Sequence, residues 1–180
     1  MGGISKGLIP FRNKPMVQWV SEKLRPQVQS LIINAPESET GYAPFSDQLI
    51  EDKLPGHQGP LAGLHAAMNE TKNPFIITVP CDSPLIPEDL VERLSAPLRD
   101  ASISLAVVTI ESRLQPVFFI VRSSLRNSLE KFLQSGGRKL DLWYSQLMIK
   151  EVDFSDKPNA FLNFNTMKEL KWGESKTSPD

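Results

Sequence analysis

Phe75-Ile76-Ile77-Thr78-Val79-Pro80-Cys81-Asp82-Ser83-Pro84 is an apolar run that ends in a proline-bounded polar turn, and Ile86-Pro87-Glu88-Asp89-Leu90 follows it. Five apolar or β-branched residues fit a buried strand, and Pro87 with two carboxylates behind it fits the first turn of a helix. The strand therefore delivers Asp82 to a loop at its carboxyl end, where open α/β sheets keep their ligands. A carboxylate fixed there can hold a metal ion over bound phosphates, which makes Asp82 the first candidate functional residue.

Outward from that strand the pattern alternates. Apolar residues at helical spacing run from Pro15 to Arg25, a strand follows at Leu31-Ile32-Ile33, and Asn34 closes it. Pro36 to Ser46 reads as an irregular crossover, and Leu49-Ile50 as a short strand ending at Asp52. A turn-rich loop through Gly59-Pro60 precedes a helix marked by Leu61, Leu64, Ala67 and Met68, with Gly63 inside it. After the Asp82 loop a helix is expected from Pro87 to about Leu98. Ile103 to Thr109 and Val117 to Val121 read as a hairpin or a mixed-sheet edge. Further helices are expected over Ser123 to Gln134 and Leu140 to Leu147, a strand near Ile149 to Val152, and a last helix from Thr166. The fold class expected is α/β, a single three-layer domain with a mostly parallel twisted sheet, helices on both faces and a mixed C-terminal part. The domain should span residues 1–172, with 173–180 a polar tail.

Bulk properties narrow the function. At 180 residues and 40% hydrophobic the chain suits one domain with a sizeable core. A formal charge of −1 and an isoelectric point near 6.2 give no basic footprint for nucleic acid. No stretch approaches the roughly 18 apolar residues of a membrane span. The single cysteine, Cys81, excludes an intrachain disulfide and suits a reducing, cytoplasmic setting, and it reads as a packed residue, not a nucleophile. His57 and His65 form no metal spacing.

Several segments together carry a resemblance. Met1-Gly2-Gly3-Ile4-Ser5-Lys6-Gly7-Leu8, Asn13-Lys14-Pro15-Met16, Glu51-Asp52, Gly59-Pro60-Leu61-Ala62-Gly63, Pro80-Cys81-Asp82-Ser83-Pro84 and Phe161-Leu162-Asn163-Phe164-Asn165-Thr166 follow one another in an order that resembles the bacterial molybdenum cofactor guanylyltransferases. The likeness runs from Met1 to about Trp172. It implies a Rossmann-like nucleotidyltransferase fold that transfers GMP from GTP to the terminal phosphate of molybdopterin or its molybdenum-loaded form, releasing pyrophosphate. It further implies that Asp82 holds Mg2+ and that Lys6 lies near the triphosphate. Asn34 and Asp52 would line the guanosine pocket, and Gly59 and Gly63 would let backbone approach the nucleotide. Asn163 and Asn165 would face the pterin. Arg138, after Gly136-Gly137, would clamp the acceptor phosphate or serve merely as a surface arginine. Molybdoenzyme apoproteins or their chaperones would be further partners, with neither nucleic acid nor membrane among them. Alternatives are a cytidylyltransferase or another nucleotidyltransferase of this fold, and a truncated protein that binds the cofactor without catalysis.

The chain departs from the family at its start. Family members begin with an apolar strand running into Leu-Ala-Gly-Gly and an arginine, and this sequence opens after them, from which a start codon placed too far downstream is the favoured expectation over a real truncation. Without that strand, ladder groups on its neighbours would stand unpaired. Ser5-Lys6 replaces the usual Asp-Lys, and Asn13-Lys14-Pro15 replaces Gly-Lys-Pro, with Asn tolerating left-handed backbone better than most residues.

Overall fold

The computed structural model describes residues 5–52 and 59–164. A hairpin of β1 (Pro10–Phe11) and β2 (Lys14–Pro15) leads into helix α1 (Met16–Leu24). Arg12 and Asn13 form its turn, both with positive φ, at 48° and 64°. That is the type I′ signature of a two-residue hairpin loop. Asn13 thus occupies the left-handed position anticipated for it. Strands β3 (Ile32–Asn34) and β4 (Gln48–Ile50) pair in parallel around a 3-10 turn at Thr40–Phe45.

The remaining strands make a mixed sheet in the order β5-β7-β6-β8, built from β5 (Phe75–Thr78), β6 (Leu105–Ile110), β7 (Arg113–Arg122) and β8 (Ile149–Asp153). β7 runs antiparallel to both β5 and β6, while β8 is parallel to β6. The sheet is therefore more mixed than the strand and helix alternation suggests. The cause is local: Glu111 and Ser112 adopt positive φ and turn the chain back on β6 as a hairpin, so that its second arm, β7, lies between β6 and β5. An irregularity in this pairing after Val107 accommodates Pro116, which cannot donate to a ladder.

Period-2 alternation sorts the strand side chains into two apolar layers. Ala106, Val108, Phe118 and Ile120 pack with Val20 and Leu24 of α1 and with Leu90 and Leu94 of α3 (Leu90–Ser95). On the other face Leu105, Val107, Phe119 and Val121 meet three helices: α2 (Pro60–Glu70), α4 (Arg126–Gln134) and α5 (Leu140–Tyr144). Helices thus cover both faces. Helix α3 starts three residues later than expected, its first turn being set by the Leu90 amide donating to the Pro87 carbonyl. The helix expected from Thr166 and the tail from 173 lie outside the described residues.

Between the two parts of the sheet lies a slot. Among the described residues β3 pairs only with β4, and β5 only with β7, so each presents one edge without a ladder partner. The two edges border a cavity of about 880 Å³ walled by Val17 and Val20 of α1, Leu64 and Ala67 of α2, Ile33 and Ile77. Asn73 Nδ2 donates to Ser30 Oγ at 3.3 Å ahead of both strands, while Tyr42 and Cys81 meet beyond their far ends. β3 and β5 accordingly run in the same direction, and their carboxyl ends share one rim.

Candidate active site

That rim assembles from four loops. The first holds Lys6 in a 3-10 turn, Lys6–Leu8, and Gly7 explains its placement. A Cβ on Gly7 would come within 2.7 Å of the Tyr42 hydroxyl and 2.8 Å of Cys81 Sγ, so only glycine lets the turn press against both. The buried Tyr42 hydroxyl also lies 2.6 Å from Ser5 Oγ. The serine that stands where the family usually carries Asp therefore pins this loop to the crossover between β3 and β4. Burial pushes the Tyr42 phenol well above its ordinary range and raises the Cys81 thiol, which keeps both neutral as packing groups. Cys81 behaves as the packed residue expected.

The second loop carries Asp82, 9% exposed. Desolvation raises its carboxyl above the usual range, and its own backbone amide and the charge of Lys6 offset that only in part. Lys6 and Asp82, 76 positions apart, thus share one electrostatic neighbourhood. A largely buried carboxylate with incomplete compensation is the donor type that suits a hard divalent cation, and magnesium in particular is often held by one or two carboxylates plus substrate phosphates. Among the described residues no cluster of three or more acidic, His or Cys side chains exists. Asp82 could hold such a cation only if phosphate oxygens and water completed its coordination.

The third loop is at the far end of the sheet path. The Phe164 amide donates to the Asp82 carbonyl at 3.2 Å, and Ser83 Oγ donates to Asn163 Oδ1 at 2.5 Å. Asn163 is itself exposed and lines the mouth of the slot. Phe164 stacks on Phe11, 5.2 Å between ring centroids, which anchors the loop on the hairpin side. Asn165 lies outside the described residues.

Asn34 and Asp52, at the ends of the parallel pair β3 and β4, form the fourth group. Asn34 Nδ2 donates to Asp52 Oδ1 at 2.8 Å. Gly63 of α2 makes room for this contact, because a Cβ there would sit 2.5 Å from Asn34 Nδ2. The space that Gly63 leaves is filled by the asparagine amide, which refines the expectation that it admits a nucleotide. Gly59, with φ 70°, is the residue just before α2, and among the described residues no atom lies within 4 Å of where its Cβ would be.

Arg138 does not join the cluster. Its Nη1 donates to the carbonyls of Leu133 and Gly137, at 2.7 and 2.6 Å. The guanidinium thereby braces the turn that follows α4, a common use of a basic residue after a helix.

Sequence reasoning named Lys6, Asp82, Asn34, Asp52 and Asn163; of these Asn34 and Asn163 line the slot, Asp52 is bonded to Asn34, Lys6 lies within electrostatic reach of Asp82, and the Asp82 loop is tied to the Asn163 loop. That reasoning missed the residues that hold them there. Gly7 had a signal in the Lys6-Gly7-Leu8 turn; Tyr42, inside an irregular crossover, had none.

Residues 1–147 match the MobA-like NTP transferase domain. The chain belongs to this family. As a MobA-like NTP transferase it is a nucleotidyltransferase, and its relatives named molybdenum cofactor guanylyltransferase include proteins of Shewanella sediminis and Shewanella putrefaciens. These are 43% and 42% identical over 169 residues, covering 94% of this chain and 86% and 87% of theirs. The fold is shared with molybdopterin-guanine dinucleotide biosynthesis protein A from Archaeoglobus fulgidus, at a TM-score of 0.78 and 21% identity over 96% of this chain and 90% of that one. It is shared also with 2-C-methyl-D-erythritol 4-phosphate cytidylyltransferase from Thermus thermophilus, at 0.73 and 13% over 94% and 92%. The same layered α/β scaffold therefore underlies more than one nucleotidyltransferase.

Proposed function

We propose that this MobA-like NTP transferase moves GMP from GTP to the terminal phosphate of molybdopterin or its molybdenum-loaded form. The observation that carries the reading is the convergence of Asp82, Lys6 and Asn163 at one rim, in a chain more than 40% identical to proteins named for that activity. In the reaction an oxygen of the acceptor phosphate attacks the α-phosphorus of GTP. A new P–O–P linkage forms, the bond between the α-phosphorus and its bridging oxygen breaks, and the electron pair leaves with pyrophosphate.

Such a step asks little covalent help from protein, because the acceptor is already anionic at neutral pH. It asks for alignment and for relief of charge repulsion between two polyanions. Lys6 supplies a fixed cation beside the triphosphate. Asp82 would hold magnesium, which when bound supplies charge neutralisation on the phosphates. The Asn34–Asp52 pair offers a carboxylate that accepts hydrogen bonds from the guanine edge or ribose. The Asn163 amide contacts the second substrate. No helix among the described residues is long and apolar enough to cross a membrane, and the free Cys81 thiol suits work in the cytoplasm.

The test is pyrophosphate release from GTP and magnesium, with and without molybdopterin, run beside CTP, ATP and UTP. Release that requires molybdopterin and prefers GTP is the expected result. Equal release with CTP, or none with any nucleotide, overturns the assignment.

A further inference from the structure

We infer that Ser83 is a positioning residue for the second substrate: its hydroxyl sets which end of the Asn163 amide faces the opening. This rests on the reading of Asn163 given above. Ser83 is fully buried, whereas Asn163 is exposed at the rim, so the bond between them joins an interior anchor to a surface side chain. The serine hydroxyl donates to Asn163 Oδ1 at 2.5 Å. With that oxygen engaged, Nδ2 is left to present its two hydrogens to the mouth of the slot that Asn163 lines. An asparagine without such a partner exposes oxygen or nitrogen with nearly equal ease, since the two ends have almost the same shape.

The bond also spans the two substrate sides. Ser83 follows Asp82 directly, and the Phe164 amide holds the Asp82 carbonyl one residue beyond Asn163. Two contacts thus lock the loop of the candidate metal ligand to the loop of the candidate acceptor contact. The donor so presented suits an oxygen on an anionic or carbonyl-bearing substrate, and a carboxylate in the same place would repel a phosphate.

The test is a double-substitution cycle on the full chain, read by pyrophosphate release. Ser83→Ala should raise KM for molybdopterin about tenfold, the scale of one well-placed hydrogen bond, while KM for GTP moves less than about twofold. In an Asn163→Ala background the same change should have no further effect on KM. Ser83→Thr keeps the hydroxyl and should restore KM; Ser83→Cys, a weaker donor without the added methyl group of Thr, should fall between Ser and Ala and serves where Thr unsettles the fold. A rise of both KM values together, or an Ser83→Ala effect undiminished in Asn163→Ala, overturns the inference. A nitrogen-detected NMR spectrum separates this from failure of the proposed reaction. If the wild type releases no pyrophosphate, the Asn163 side-chain amide should still give one ordered pair of resonances that Ser83→Ala displaces, and resonances unmoved by Ser83→Ala would refute the positioning role.

Discussion

Gly63→Ala should leave stability nearly unchanged yet weaken GTP use, a combination that ordinary helix energetics does not give. Alanine in a helix is favoured over glycine by about 1 kcal/mol. Gly63 is the fourth residue of α2, and its added Cβ would fall 2.5 Å from Asn34 Nδ2, far inside contact distance. Asn34 must swing away and its 2.8 Å bond to Asp52 is lost. For an exposed neutral donor on a carboxylate that loss is about 1 kcal/mol, so gain and loss cancel. The melting temperature should then move by less than about 2 °C, given that 1 kcal/mol corresponds to roughly 2–4 °C in a chain of this size. If the pair contacts guanosine, KM for GTP should rise about tenfold with molybdopterin KM little altered.

The Asn34→Ala background provides the control. With no amide to displace, Gly63→Ala should there show its full propensity gain, about 1 kcal/mol or 2–4 °C, and no further change in KM for GTP. Thermal melts and initial-rate kinetics on the four proteins of the cycle measure both quantities. An additive cycle, with Gly63→Ala stabilising equally in both backgrounds and GTP kinetics untouched, would refute the coupling of α2 to the Asn34–Asp52 pair.

Asp82→Asn should lower pyrophosphate release by at least about a hundredfold while stabilising the fold at neutral pH, the trade-off expected of a buried functional charge. The sign follows from desolvation. A carboxyl raised in the folded protein binds its proton more tightly there than in the unfolded chain, so stability falls as pH rises from the unfolded value through the folded one. The advantage of the Asn variant should accordingly be present at pH 7 and vanish below about pH 4; melts across that range would expose a reversed trend. Arg138→Ala removes two hydrogen bonds, to the carbonyls of Leu133 and Gly137, and should cost about 1 kcal/mol in denaturant titrations, with both KM values within twofold of wild type. A large rise in molybdopterin KM would return Arg138 to the site. Hydrogen exchange should be faster at slot-facing amides of β3 and β5 than in β6, which is paired on both sides by β7 and β8; equal protection would mean that the slot is closed in solution.

The layers were legible because apolar periodicity reports burial. Phe75 to Val79 reads as a strand, and the structure extends it over Phe75–Thr78. Leu61, Leu64 and Met68 read as the inward face of a helix, and all three pack on the sheet. Pairing order is another matter, since nothing in Leu105 to Arg122 states that the second arm of the hairpin will settle beside β5. That choice is made by side chains on both faces at once, Phe118 and Ile120 toward one layer, Phe119 and Val121 toward the other. Periodicity records which faces are apolar without recording the neighbour.

The candidate site divides along a similar line. Residues meeting substrate were legible because a charge or amide at a strand end is chemically conspicuous: Asp82, Lys6, Asn34, Asp52 and Asn163 all carry such groups. Those that fix their geometry carry none or hide it. Gly7 acts by lacking a Cβ against Tyr42 and Cys81, Gly63 by lacking one against Asn34, and Ser83 by burying a hydroxyl under Asn163. Alignment matters more than covalent chemistry in transfer between two phosphates, so displacing a rim group by an ångström should cost as much as weakening its charge. Substitutions at these quiet positions ought therefore to impair catalysis more than their small effects on stability suggest, and the Gly63 and Ser83 cycles test that claim from opposite sides of the slot.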